Sequence, residues 1–264
     1  MAADVLTPAT AIAPAKINLF LHVAPVDEER YHPLTSLVAF ADMGDIVSVE
    51  RSDRLSLTVG GPFGAGLADD PDNLILRGLR ALGEATGTGE PPVHVHLDKR
   101  LPIAAGLGGG SSDAGAALKL ARDLLGLGID DAALGDIARV VGADGPMCLY
   151  ARPAWAEGRG EVLTFEPRLP PLPALLVNPG VPSPTGAVYR AYDAAPRALE
   201  LRPAPPAEWS ASGVIDWLAS QRNDLEAPAI ALQPAIGEAM QAVAALPEAR
   251  LTRMSGSGAT VFSL

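Results

Sequence analysis

The sequence predicts a two-domain α+β protein, on three observations. The chain opens with strand-like stretches and shows no alternating β-α pattern from its first residue, as a doubly wound sheet would require. A glycine-rich loop then leads into a helix, Leu101 to Leu125 reading LPIAAGLGGGSSDAGAALKLARDLL. Finally, Arg168-Leu169-Pro170-Pro171-Leu172-Pro173 is the most linker-like segment, which places a domain boundary between Tyr150 and Pro173. We take residues 1–152 as the first domain and 153–264 as the second, a length that also suffices for one large domain.

The elements follow in order. In residues 13–23, Ile17, Leu19, Leu21 and Val23 share one face of a strand, while Lys16, Asn18, Phe20 and His22 share the other. Further strands are expected at 46–50, 55–59 and 93–97, and a helix at 73–82 after Asp70-Pro71-Asp72. His94 and His96 alternate on one strand face; with no third ligand nearby, a plain polar face is the better reading than a metal site. The glycine loop should end in a helix with Ser111 and Ser112 at the N-cap position, since Ala114, Ala117, Leu118, Ala121, Leu124 and Leu125 recur at helical spacing. A second helix is expected at 130–141, ending at Gly142-Ala143-Asp144-Gly145-Pro146. Residues 156–161 form a turn into a strand, 174–177 a buried strand and 194–206 an excursion loop. Residues 221–226 open a helical region, and 251–262 join two strands through alternating glycines.

Composition narrows the function. A net charge of −11 argues against broad binding to a nucleic-acid backbone, so an anionic ligand must be held locally. Cys148 is the single cysteine, which leaves no intramolecular disulfide and fits a reducing compartment. Residues 1–11 carry Asp4 and no basic leader, and nowhere do 18 apolar residues run together, so a soluble cytoplasmic protein without a membrane partner is expected. Three lysines stand against seventeen arginines, so Lys16 and Lys99 suggest a need for a compact ammonium.

Gly106, Gly108, Gly109 and Gly110 let the backbone lie close to a ligand, and the helix after them offers amides and a positive dipole end to an anion. Four glycines and two serines in seven residues exceed what a turn before a capped helix needs, which favours phosphate binding. It is not a Walker A loop, because the first lysine after it, Lys119, lies well inside the helix. The dinucleotide fingerprint fits weakly, because Asp131 follows a helix and not a second strand.

Pro102 followed by Gly106-Leu107-Gly108-Gly109-Gly110-Ser111-Ser112 resembles the phosphate loop of the GHMP kinases, most closely in the family that phosphorylates diphosphocytidyl-methylerythritol. The rest of the chain, from Pro14 to Phe262, is similar to the same family. Pro14-Ala15-Lys16-Ile17-Asn18-Leu19 matches its first motif, whose lysine and asparagine face the active site. Tyr31-His32 matches a Gly-Tyr-His segment in which the ring lies on cytosine and the histidine reads its edge; Arg30 stands where the family has Gly. Tyr189, four residues after Thr185 in a Pro-Gly-x-x-x-Pro-Thr match, would be the second aromatic of a cytosine sandwich with Tyr31. Asn73 and Lys99 match positions bordering the nucleotide. Gly142-Ala143-Asp144 matches the segment carrying the family's catalytic aspartate, with Gly145 and Met147 in place of Val and Phe. Asn223-Asp224-Leu225-Glu226 matches a structural segment, and Ser255-Gly256-Ser257-Gly258 the third superfamily motif, which packs beside the phosphates. The family usually continues several residues past the position of Leu264.

The resemblance implies a two-domain GHMP kinase fold, with a ribosomal-S5-like N-terminal domain, a ferredoxin-like C-terminal domain and the active site in the cleft between them. It implies ATP and Mg²⁺ as cofactors, a small-molecule acceptor with a cytidine diphosphate group, no nucleic-acid partner, and a monomer or weak homodimer. The γ-phosphoryl would pass to the acceptor's 2-hydroxyl, with Asp144 as base and Lys16 as its electrostatic partner. Pro102, Gly106, Leu107, Gly108, Gly109, Gly110, Ser111 and Ser112 would hold the nucleotide, and Asn18, Tyr31, His32, Thr185 and Tyr189 the acceptor. Another GHMP small-molecule kinase and a non-catalytic nucleotide-binding module are the alternatives.

Overall fold

The structure is a computed structural model that describes residues 8–65, 67, 70, 72–198, 200 and 202–264. Most of the segment read as lacking a basic leader therefore lies outside the described residues, as do Pro71 and, in the expected excursion loop, Leu199 and Leu201.

Two compact units divide the chain. The first comprises Met1–Ala15, Ala41–Leu101 and Gly108–Ala151; the second comprises Lys16–Phe40, Pro102–Leu107 and Arg152–Leu264. One division, at Ala151/Arg152, lies one residue from the boundary read in the sequence, but 16–40 and 102–107 group with the second unit. The reason is strand length. β1 (Ala9–Val23) and β2 (Leu34–Arg51) run 15 and 18 residues, beyond the usual three to ten or so, and each contributes to both units.

The first unit adds β3 (Ser56–Gly60), α1 (Leu74–Thr86), β4 (Val93–Asp98), α2 (Gly109–Leu125), α3 (Asp131–Ala138), a 3₁₀ turn at Arg139–Val141 and α4 (Gly145–Tyr150). The last part of β2 pairs antiparallel with β4, Ile46 opposite Asp98 through Arg51 opposite Val93, and β3 lies parallel to β4. Period-two alternation buries Val47, Val49, Val93, Val95 and Leu97 on one face. Onto that face pack Ile75, Leu79 and Leu82 of α1, Ala117, Leu118 and Ala121 of α2, Leu134 of α3 and Leu149 of α4. His94 and His96 take the opposite face and bond the hydroxyls of Ser56 and Thr58, and no cluster of metal-ligating side chains occurs among the described residues.

The second unit contains β5 (Ala154–Gly158), β6 (Val162–Phe165), β7 (Leu175–Val177), α5 (Thr185–Tyr192), α6 (Ala211–Ala219), α7 (Glu226–Leu232), α8 (Pro234–Ala244), β8 (Thr252–Met254) and β9 (Val261–Ser263). β5 pairs antiparallel with the first part of β2, Leu34 opposite Gly158 through Val38 opposite Ala154, and with β6 on its other side. A separate antiparallel sheet has the order β7-β9-β8. Leu21, Val23, Val188, Tyr192, Leu225, Ala229, Ile236, Met254 and Val261 form its core. The linker-like segment 168–173 connects β6 to β7 inside this unit. Asn223-Asp224 has the structural role expected of it: Asp224 accepts the Val23 amide at 2.9 Å, and the Asn223 side chain donates to the carbonyls of Met254 and Gly256. No helix among the described residues is long and apolar enough to cross a membrane.

Candidate active site

In the first unit the glycine loop ends in a helix, though its start differs from the expected one. α2 begins at Gly109 with Gly108 as N-cap at φ 63°, and Ser111 and Ser112 fall within its first turn. A left-handed angle suits glycine, and the Ser112 amide already bonds the Gly108 carbonyl at 2.9 Å, so the helix closes on glycines before a serine can cap it. No side chain caps this end. The first-turn amides and the positive end of the dipole are thus left to an external anion. Ser111 is half-buried, whereas Ser112 is buried and its hydroxyl has no hydrogen-bond partner in the protein.

Beneath the loop lies a buried charge cluster. Lys99 Nζ is 2.5 Å from Asp45 Oδ2 and 2.7 Å from Asp113 Oδ2, and a Cβ on Gly109 would stand 3.0 Å from that ammonium. The other Asp45 oxygen accepts the amides of Arg100 and Leu101 at 2.6 and 2.7 Å. Burial pushes the Asp113 carboxyl up to about 7, with Lys99 pulling the other way and Asp45 adding to the rise. Lys99 therefore turns its charge into this triad under the loop. Asn73 is a helix cap: its Oδ1 accepts the Ile75 amide at 2.9 Å.

Asp144 is the N-cap residue of α4 and is half-buried. The next residue's departure from the family's Val has a physical reason, because a Cβ on Gly145 would stand 2.0 Å from the Ala138 carbonyl oxygen.

In the second unit, 16–23 of β1 are buried on both faces, so the polar face of Lys16 and Asn18 is not solvated. Backbone and hydroxyl bonds join this strand to the start of the glycine loop and to the third glycine motif. The Lys16 amide donates to the Leu107 carbonyl at 2.8 Å, and the Thr260 amide to that of Ala105 at 3.1 Å. Ser255 Oγ accepts the Asn18 amide at 3.1 Å and donates to the Gly106 carbonyl at 2.9 Å. The approach is close enough that a Cβ on Gly106 would stand 2.2 Å from the Ser255 carbonyl oxygen. Asn18 Nδ2 donates to Ser36 Oγ at 2.8 Å, and its Oδ1 is buried without a hydrogen-bond partner. Leu107 is buried and Pro102 half-buried in this segment.

The expected acceptor residues are also in this unit, in two groups. His32 and Tyr189 have ring centroids 4.9 Å apart. His32 Nδ1 lies 2.9 Å from the Ala24 carbonyl, which can only accept, so that nitrogen carries the proton; Nε2 lies 3.3 Å from Asp193. Tyr31 is 52% exposed and has the Arg159 guanidinium 3.6 Å over its ring. The ring against Tyr189 is therefore that of His32, while Tyr31 is faced by Arg159. Arg30 takes φ 63°, the angle for which the family's Gly is suited. Thr185 Oγ1 lies 2.9 Å from Ser257 Oγ. Sequence reading placed Ser255 in the third glycine motif but missed Asp45, Asp113 and Arg159; the scarcity of lysine pointed to Lys99 but not to its partners.

The chain is similar to known proteins along most of its length. Residues 73–152 match the family described as "GHMP kinases N terminal domain". A homoserine kinase from Cytophaga hutchinsonii superposes with a TM-score of 0.67 over 100% of this chain and 86% of its own, at 17% identity, which speaks for the fold. Fold and loop together define a GHMP kinase, a small-molecule phosphotransferase. A crystal structure of 4-(cytidine 5'-diphospho)-2C-methyl-D-erythritol kinase covers 97% of this chain and 90% of its own, with a TM-score of 0.78 and 37% identity. The 4-diphosphocytidyl-2-C-methyl-D-erythritol kinase of Caulobacter vibrioides is 54% identical over 258 residues, 97% of this chain and 89% of that relative. The chain belongs to the 4-diphosphocytidyl-2-C-methyl-D-erythritol kinase family.

Proposed function

We propose that this protein transfers the γ-phosphoryl of ATP to the 2-hydroxyl of 4-diphosphocytidyl-2-C-methyl-D-erythritol, yielding the 2-phosphate and ADP in non-mevalonate isoprenoid precursor synthesis in the cytoplasm. The 54% identity to the Caulobacter kinase carries this reading, and the glycine-led helix end with no side-chain cap supports it. The acceptor oxygen bonds to the γ-phosphorus as the bond to the β-γ bridging oxygen breaks, and the hydroxyl proton passes to Asp144. Lys16 is its electrostatic partner, stabilising the charge that develops in the transfer. Amides from Gly106 to Ser112, with Leu107 and Pro102 shaping the turn, hold the phosphates; Asn73 and Lys99 support the nucleotide side by capping α1 and by holding the loop from below.

Mg²⁺ fits here as an ion held mostly by phosphate and water. The buried Ser112 hydroxyl lacks a protein partner, and the described residues offer no cluster of three acidic, histidine or cysteine ligands. When bound, it would spread the charge of the transferring group. On the acceptor side, Tyr31 is the stacking platform for the cytosine; His32, backed by Tyr189, reads its edge, and Asn18 and Thr185 orient the remainder.

Coupled ADP release from the purified protein, with ATP and Mg²⁺ and with the cytidyl alcohol, mevalonate or homoserine as acceptor, tests this. Turnover is expected with the cytidyl substrate alone, and Asp144→Asn is expected to lower it at least about a hundredfold. Turnover with mevalonate or homoserine instead would overturn the acceptor assignment.

A further inference from the structure

The loop bearing Tyr31 is tightly specified. Asp27 Oδ1 accepts the amides of Glu29 and Tyr31 at 2.9 and 2.8 Å, and the Asp27 amide donates to the Tyr31 carbonyl at 2.7 Å. The β2-β5 register, with Leu34 opposite Gly158, brings the turn after β5 to the same end of the strands as this loop. From that turn, Arg159 lays its guanidinium 3.6 Å over the Tyr31 ring while its Nη2 bonds the Glu29 carboxylate. Glu161 fixes the base of the arginine by accepting its amide at 2.6 Å. One face of the guanidinium is thus directed to the ring and its edge to Glu29. Tyr31 as a whole remains 52% exposed, which leaves surface for a ligand.

We propose that Arg159, held by Glu29, is a positioning residue for the nucleobase end of the substrate, backing the Tyr31 ring so that a pyrimidine stacks on the opposite face. The inference rests on the function proposed above, because it takes Tyr31 as the base platform. An aromatic ring free to swing loses rotamer freedom when a base settles on it, and a cation already seated on its rear has removed that freedom beforehand. Arg159 meets the proposed base platform at the Tyr31 ring, so its effect passes through Tyr31 and is directed at the cytidyl ligand, not at ATP.

The test is calorimetric titration of the full chain with cytidine 5′-diphosphate in saturating ADP, which reads binding without turnover. Arg159→Gln is expected to weaken binding about two- to fivefold, and Glu29→Gln to act in the same direction. Kinetically, Arg159→Gln should raise KM for the cytidyl substrate and leave KM for ATP where it was. In a Tyr31→Leu background the Arg159→Gln effect should vanish, which a merely structural role would not produce. Unchanged or tighter binding in Arg159→Gln would overturn the proposal, the tighter case meaning that the guanidinium occupies the face a base needs. An equal loss in the Tyr31→Leu background would overturn it too. A protein that binds the diphosphate with this Arg159 dependence yet phosphorylates no cytidyl alcohol sinks the proposed reaction and upholds the inference; one that does not bind it at all sinks both.

Discussion

Two buried cations, Lys99 in the first unit and Arg253 in the second, are satisfied by opposite means. Lys99, in the first, is met by two carboxylates, those of Asp45 and Asp113. Arg253, in the second, is met by neutral carbonyls: Nη1 donates to Leu19 O at 2.7 Å, and Nη2 to Leu218 O at 2.9 Å and Gln221 O at 2.7 Å. The difference follows from the side chains. An ammonium is a strongly hydrated point charge that asks for counter-charge when dried, whereas a guanidinium spreads its charge and presents a planar fork of donors. Leu218 and Gln221 lie at and just beyond the C-terminal end of α6, where carbonyls lack helical partners and carry the negative end of the dipole. Burial lowers the pKa of Arg253, with Glu226 opposing. One arrangement concentrates charge beside the glycine-led start of α2, and the other splices a strand to a helix end.

Removing charge at the first site should have the largest effect. Lys99→Met leaves two buried carboxylates without their cation and is expected to cost about 3–5 kcal/mol in urea unfolding at neutral pH. It should also raise KM for ATP, since Gly109 rests against that ammonium. Arg253→Lys keeps the charge but loses the planar fork that reaches three carbonyls at once. The expected cost is about 1–3 kcal/mol, measured in the same way. If Arg253→Lys proved the more damaging, the contrast between charged and neutral partners would be reversed.

The last test reads a slope. The Asp113 carboxyl titrates at about 7 in the folded chain against an ordinary 3.8, so the native state holds the proton more tightly than the unfolded one. Its contribution to stability is fully present below about pH 4 and is lost as pH rises to about 7. Urea midpoints taken across that window should fall less steeply for Asp113→Asn than for the wild type. The other charges in contact with it are Lys99 after β4 and Asp45 on β2.

Local pattern made the individual elements legible. Alternation located β4, and Asp70-Pro71-Asp72 marked the approach to α1, whose cap is Asn73. What pattern could not give is anything set by distant partners. Asp45 and Asp113 stand 54 and 14 residues from Lys99, and Arg159 is separated from Tyr31 by the whole of the first unit's helical region. Their meeting depends on strand register, which spacing within one segment does not encode. The assignment of 102–107 to the second unit was hidden for the same reason, being fixed by bonds to β1 and to the turn at Ser255. Ser111 and Ser112 misled because the preference for serine at an N-cap was outweighed by a left-handed glycine one turn earlier. Lys16, Asn18 and Asp144 stood out through family resemblance, since a strand lysine or a turn aspartate alone has ordinary structural explanations.

Two glycines packed about α4 carry a consequence for how the enzyme can vary. A Cβ on Gly115 of α2 would stand 2.8 Å from Leu149 Cα, and one on Gly145 at the head of α4 would stand 2.0 Å from Ala138 O. Backbone therefore meets backbone on two sides of the short helix that follows Asp144, with no compressible side chain between. The spacing between the glycine loop and that aspartate is a fixed dimension of the first unit, set like the thickness of a shim. Displacements near 1 Å can cost about a hundredfold in rate, so with Asp144 in its proposed role drift at these two positions would be felt in turnover, although neither glycine has any group to offer the reaction.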